Sequence, residues 1–256
     1  MNRINKILLS PFFLSLVLCL IIIPFLPFRF SKYAAHVVEH GTIARSLRTA
    51  VFYQDLDSDG NSDRIISDSN FAYHSIRVYD HNNGIWSQEN FRGNIPKKHE
   101  RIFFGDQDED GYLEIYAFTQ REDSLFLNVV ETMDQQSVIR IRDKYITSIR
   151  KRDGRYEYAV RKQQMMDLTG DSIKDLLFSV EAQFSLQPRK LFLLDFKNDT
   201  MWQSPESGTT MENLWIADLN DDGKPEITGS VSAAGNIHDS LGIPFHDYSA
   251  WLMSYT

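Results

Sequence analysis

The sequence predicts an all-β fold: a β-propeller of four-stranded blades with Asp-rich loops, preceded by one N-terminal transmembrane helix. Three observations lead there. A nine-residue Asp-rich pattern recurs four times at wide, nearly regular spacing; short β-favouring runs and turn signals fill the intervals; and an uncharged apolar run opens the chain. Periods of this size belong to stacked or radially arranged supersecondary units.

The first copy runs from Asp55 to Asp63, with Asp57, Asp59, Gly60 and Asn61 at positions 3, 5, 6 and 7. The second runs from Asp106 to Glu114, with Asp108, Asp110, Gly111 and Tyr112 at those positions. The third, Asp167 to Asp175, carries Thr169, Asp171, Ser172 and Ile173, and the fourth, Asp218 to Glu226, carries Asn220, Asp222, Gly223 and Lys224. Oxygen-bearing side chains at positions 1, 3 and 5 and a carboxylate at 9 can converge on one hard cation if the backbone turns sharply between them. The residue at position 7 (Asn61, Tyr112, Ile173 or Lys224) can add its backbone carbonyl. Calcium takes 6 to 8 oxygens at roughly 2.3–2.6 Å and tolerates irregular geometry, so it suits such a loop better than magnesium. Up to four Ca2+ ions are expected.

An EF-hand opens in the same way but takes a Glu at position 12 and runs into a helix. Here position 12 is Ile66, Ala117, Phe178 or Gly229, and three of the loops run straight into β-favouring residues, 113–118, 175–180 and 226–228. The EF-hand is excluded. The third loop is expected to be the weakest, because Ser172 stands where the others have the turn glycine and Thr169 where the first two have a carboxylate.

The motifs begin at 55, 106, 167 and 218, giving intervals of 51, 61 and 51 residues. Apolar residues precede each loop: 51–53, 102–104, the pair Met165 and Met166, and 214–216. Further strand-like runs follow at 75–79, 124–130, 137–141 and 190–194, with turn signals at 81–84 and 197–200. About four strands fit each repeat, the content of a propeller blade. A second repeated element places Trp86 and Trp202 shortly after the turns at 81–84 and 197–200, and these tryptophans are expected to pack between blades. The fourth repeat stops in a strand-like run, 247–256, before an outer strand is complete, so the expected architecture is the N-terminal part of a longer propeller, with a small ring of four or five blades as the alternative.

On the four loops and their spacing, residues 48–256 resemble the FG-GAP or VCBS-type repeats, the integrin alpha-like propellers. The resemblance implies that each cation loop joins the first two strands of a blade. It also implies metal ligation by Asp55, Asp57, Asp59 and Asp63 and their counterparts in the other loops. Clear Phe-Gly and Gly-Ala-Pro signatures are lacking, which places the chain nearer the bacterial VCBS-like branch. Such a family implies a fold and an ion rather than a reaction.

Residues 7–28 form an apolar run without a charge, long enough to span a bilayer. Arg3 and Lys6 precede it and favour a cytoplasmic N-terminus. A cleaved signal, with secretion of the remainder, is the alternative, but Pro24, Pro27 and Arg29 occupy the place of a small-residue cleavage site. The expected layout is a cytoplasmic tail at 1–6, an anchor at 7–28, a juxtamembrane linker at 29–47 and repeats at 48–256 on the periplasmic or extracellular side. Within that linker, His36, Glu39 and His40 match an inverted zinc-protease motif, but a short connector offers neither a catalytic domain nor a third ligand.

Cys19, inside the apolar run, is the only cysteine, so residues 20–256 can form no disulfide. The formal charge is −8, and much of the acidity sits in the loops as ligand supply. No basic stripe is present, which argues against nucleic acid as a partner. Neither a phosphate-binding glycine loop nor a catalytic triad is evident, so an enzyme is not expected. The expected function is a membrane-anchored recognition, adhesion or sensory-input module with a protein or glycan ligand. An extracytoplasmic propeller enzyme such as a polysaccharide lyase is the alternative.

Overall fold

The computed structural model describes residues 49–69, 73–94, 102–183, 186–236 and 242–256, together with Pro11, Phe13, Ser15, Val17 and Leu18, which are helical. No helix among the described residues is long and apolar enough to cross a membrane. Most of the expected span at 7–28, Cys19 and the His36–His40 segment lie outside the described residues. The chain divides into two compact units, Met1–Ala44 and Arg45–Thr256.

The second unit, which carries all four Asp-rich segments, is all-β and antiparallel. Sheet I comprises β1 (Ala50–Gln54), β2 (Asp63–Ser69), β3 (Tyr73–Tyr79) and β4 (Ile85–Arg92), hydrogen-bonded in chain order. Sheet II repeats the meander with β5 (Ile102–Gly105), β6 (Glu114–Arg121), β7 (Ser124–Met133) and β8 (Gln136–Ser148). A small hairpin, β9 (Lys151–Arg152) and β10 (Arg155–Tyr156), turns at Asp153 and Gly154. Sheet III contains β11 (Tyr158–Met166), β12 (Asp175–Ala182), β13 (Arg189–Asp195) and β14 (Thr200–Gln203). Sheet IV has β15 (Met211–Ala217), β16 (Glu226–Val231) and β17 (Trp251–Tyr255). The 13-residue β8 and the β9–β10 hairpin account for the longer second interval.

Among the described residues, three apolar cores join these sheets in series. Leu56 of the first loop and Ile65, Ile76, Val78 and Phe91 of sheet I pack with Ile102, Ile115, Ala117 and Val130 of sheet II. Tyr116, Phe118, Leu125 and Leu127 of sheet II meet Leu176, Phe178, Phe192 and Leu194 of sheet III. Leu177 and Leu191 of sheet III meet Met211, Ile227, Val231 and Met253 of sheet IV. Period-2 geometry sends alternate side chains to opposite faces, so a strand buried on both faces reads as a continuous apolar run. Accordingly β12 is buried at every position, whereas β2 of sheet I alternates between buried and half-buried.

The faces have a direction. Phe52 and Phe103 lie opposite the third residue of the following strand and pack toward the next sheet. Ile76, Leu127 and Leu191, in the third strands, do the same and are at most 1% exposed. The corresponding residues of sheet IV, Trp215 and Leu252, are 58% and 75% exposed.

Candidate cation-binding loops

Each Asp-rich segment joins the first two strands of its sheet in one register. Position 9 opens the second strand and pairs with the last residue of the first, as Gln54↔Asp63, Gly105↔Glu114, Met166↔Asp175 and Ala217↔Glu226. The run into a strand excludes a helix after position 9, so the loops are not EF-hands.

Three hydrogen bonds hold all four loops in the same shape. The position-1 carboxylate accepts from the position-6 N–H: Gly60 to Asp55 at 3.0 Å, Gly111 to Asp106 at 3.2 Å, Ser172 to Asp167 at 2.9 Å and Gly223 to Asp218 at 2.8 Å. The position-5 carboxylate accepts from the position-7 N–H, at 2.7–2.9 Å, on Asp59, Asp110, Asp171 and Asp222. The position-9 carboxylate accepts from the position-2 N–H: Leu56 to Asp63 at 3.1 Å, Gln107 to Glu114 at 2.9 Å, Leu168 to Asp175 at 2.9 Å and Leu219 to Glu226 at 2.7 Å. Because positions 5 and 7 are tied through the N–H, the carbonyls of Asn61, Tyr112, Ile173 and Lys224 remain available as acceptors.

The backbone turns left-handed twice per loop, not once. Position 4 has φ of 57° at Ser58, 60° at Glu109, 76° at Gly170 and 58° at Asp221. Position 6 has φ of 86° at Gly60, 92° at Gly111, 71° at Ser172 and 84° at Gly223. The third loop thus keeps its glycine but moves it two residues upstream, and Ser172 bears the left-handed strain that glycine relieves elsewhere. Loss of the position-6 glycine does not prevent that loop from forming.

Chemistry separates the loops where shape does not. Asp55, Asp57 and Asp59 each present a carboxylate oxygen within 4.8 Å of the others, and so do Asp106, Asp108 and Asp110. Oxygens up to roughly 5 Å apart can share a cation whose bonds are about 2.5 Å long. Moreover, Asp55 Oδ1 and Asp106 Oδ1 are buried and accept no hydrogen bond, a state that Asp171 Oδ2 of loop three shares outside any cluster of three carboxylates among the described residues. A buried carboxylate oxygen without a donor is costly unless a positive charge meets it. These donor sets fit a calcium ion.

In loops three and four the protein supplies part of that positive character itself. Lys197 Nζ donates to the Asp171 carbonyl at 2.8 Å and lies 3.9 Å from Asp171 Oδ2. The Asn220 amide donates to Glu226 Oε1 at 2.8 Å and to Asp222 Oδ2 at 3.2 Å. Thr169 is exposed and brings no charge. Asp167 is held below the usual carboxylate range: burial pushes it up, but the N–H groups of Ser172, Asp171 and Gly170 outweigh that push.

The position-9 groups show the opposite tendency. Burial raises Asp63 and Asp175 above the ordinary aspartate value, partly offset by the position-2 N–H. Glu114 is pushed up to about 7 by burial, with a smaller contribution from the Asp108 charge, against the opposing bonds from Gln107 and Tyr116. Negative charge is therefore least comfortable at the floor of loop two, where a cation would relieve it most.

Several partners of the loops were not evident from spacing. Trp86 packs in the core between sheets I and II, as expected of it, and its indole N–H also donates to Asp63 Oδ1 at 3.2 Å. Trp202, in β14 of sheet III, meets Tyr255 of β17 in sheet IV edge-on at 5.3 Å, so it too lies against the next sheet, although 38% exposed. Lys174 Nζ donates to the Asp106 carbonyl at 3.0 Å and pairs with Glu109 at 3.2 Å, linking loop three to loop two. A Lys beside an Asp-rich loop was the available signal, but its partner lies 68 residues away. Compared with known proteins, the chain matches no family model, no curated protein and no solved structure.

Proposed function

We propose that the chain is a membrane-anchored, extracytoplasmic calcium-binding module of the FG-GAP/VCBS propeller type, serving recognition, adhesion or sensory input toward a protein or glycan. The observation that carries the calcium assignment is the pair of buried carboxylate oxygens, Asp55 Oδ1 and Asp106 Oδ1, that accept no hydrogen bond inside clusters of three carboxylates. Three successive four-stranded meanders and a three-stranded fourth, each packed on the next with the loop between its first two strands, support the propeller. The anchor rests on the uncharged run 7–28 and the preceding Arg3 and Lys6. An extracytoplasmic location also suits a calcium assignment, since calcium sites of extracellular modules bind at roughly 10⁻⁴–10⁻³ M.

Spheroplasts carrying an N-terminally tagged chain test this assignment. Added protease should digest residues 49–256, calcium should slow that digestion, and the tag should stay protected. Protection of the repeats from external protease, or a mature protein beginning near Ser31, would contradict the anchored topology. Digestion at one rate with and without calcium would contradict the ion.

A further inference from the structure

The loops touch one another through a repeated backbone bond. The N–H of Leu113, position 8 of loop two, donates to the carbonyl of Leu56, position 2 of loop one, at 2.9 Å. One repeat later, the N–H of Lys174, position 8 of loop three, donates to the carbonyl of Gln107, position 2 of loop two, again at 2.9 Å. In loop four, position 8 is Pro225, which has no N–H to give. Position 2 follows the same gradient: Leu56 and Gln107 are fully buried, Leu168 is half-buried and Leu219 is 62% exposed.

Each of these amides belongs to two sites. The peptide unit that contains the Leu113 N–H also contains the Tyr112 carbonyl, the position-7 oxygen of loop two. A trans, planar peptide puts that carbonyl on the side away from its N–H, so the bond to loop one aims the oxygen away from loop one. The unit of Ile173 and Lys174 does the same between loops two and three. The acceptor residue is pinned as well: Leu56 and Gln107 give their N–H to their own position-9 carboxylates, Asp63 and Glu114. Thr132 reinforces the first junction by donating to the Leu113 carbonyl at 2.9 Å.

We infer that the position-8 amides of Leu113 and Lys174 are positioning groups that couple cation binding in loops one, two and three, and that Pro225 leaves loop four uncoupled. The coupling presupposes calcium in these loops. A cation on the position-7 carbonyl polarises its peptide unit and strengthens the N–H bond to the preceding loop, as hydrogen bonds in a chain strengthen one another. That bond then holds the preceding loop's position-2 residue, and with it the position-9 carboxylate, in the binding arrangement. Filling one of the three sites therefore favours filling its neighbour, and thermodynamic linkage makes the effect reciprocal.

Hydrogen–deuterium exchange of the full chain in mild detergent, titrated with calcium alone, reads each loop's half-protection concentration separately. In Asp108→Asn, which weakens loop two, the half-protection concentrations of loops one and three should rise by about fivefold or more while that of loop four stays unchanged. Lys174→Ala removes the side-chain link to Asp106 and Glu109 but keeps the N–H, so Lys174→Pro should uncouple loop three from loop two beyond whatever Lys174→Ala does, and equal coupling in the two variants would overturn the role of the backbone N–H. Were Lys174→Pro not to fold, the Asp108→Asn comparison stands alone. Unchanged loops one and three in Asp108→Asn, or an equal shift in loop four, would overturn the coupling while leaving calcium binding intact. Absence of calcium-dependent protection in every loop of the unaltered chain would instead overturn the calcium assignment itself.

Discussion

Loops two and four share a register, a pair of left-handed turns and three internal hydrogen bonds, yet they answer the same electrostatic problem differently. Loop two gathers four carboxylates and leaves a buried oxygen on Asp106 without a donor. Loop four replaces the carboxylate at position 3 with Asn220, whose amide reaches across to Glu226 and Asp222. Loop two receives Lys174 at its Asp106 carbonyl and at Glu109 but leaves Asp106 Oδ1 without a donor, whereas loop four meets part of the demand of Glu226 and Asp222 from within. The difference shows that loop shape is set by the Asx-type bonds and the left-handed residues, whereas the appetite for a cation is set by what stands at position 3.

The largest effect on this contrast is expected from Asp108→Ala. Removing a carboxylate from the richer cluster should weaken calcium at loop two by at least about tenfold, roughly 1.4 kcal/mol. Asp171→Ala, in a loop already served by Lys197, should cost clearly less. Calorimetric titration of both variants checks the ranking, and a greater loss at Asp171 would reverse it.

A smaller gain is expected from Asn220→Asp, which removes the internal amide donor and gives loop four the four-carboxylate composition of loop two. Calcium at loop four should tighten by about fivefold, roughly 1 kcal/mol, while the calcium-free protein loses stability from repulsion among the carboxylates. Equal affinity before and after the change would mean that position 3 does not govern the site.

The smallest effect is expected from Ser172→Gly. Relieving a left-handed conformation at a non-glycine residue should stabilise the calcium-free protein by about 0.5–1 kcal/mol. Denaturant midpoints in chelator measure it, and a destabilised variant would show that the Ser172 conformation carries no strain.

Much of the scaffold was legible because the repeat states it four times. The strands around each loop, the turns before Trp86 and Trp202, and the opening of a strand at position 9 all follow from local pattern. The hairpin β9–β10 was less visible, since two-residue strands carry no periodicity and only the Asp153–Gly154 turn marks them. At the loops, the ligand-type residues could be read from spacing, but the second left-handed position could not. Ser58, Glu109 and Asp221 are ordinary residues forced into that conformation by the bonds around them, and only Gly170 betrays it. The bonds from Leu113 to Leu56 and from Lys174 to Gln107 were illegible for a different reason. Backbone groups leave no trace in side-chain pattern, and only a proline such as Pro225 reveals where one is missing. The exposed Trp215 and Leu252 likewise look like ordinary core residues in sequence, and only the packing of their counterparts gives their exposure meaning.

The calcium claim is tested most directly by the melting temperature of the full chain, stripped of metal, with and without millimolar calcium. A ligand bound only by the folded state stabilises by about 2.7 kcal/mol at a hundredfold excess over its Kd, and in a domain of this size each kcal/mol raises Tm by roughly 2–4 °C. A rise of about 5 °C or more, abolished by chelator and reduced in Asp108→Ala, is the predicted result. An unchanged Tm in protein shown to be metal-free at the start would contradict the claim that these loops are built to hold an ion.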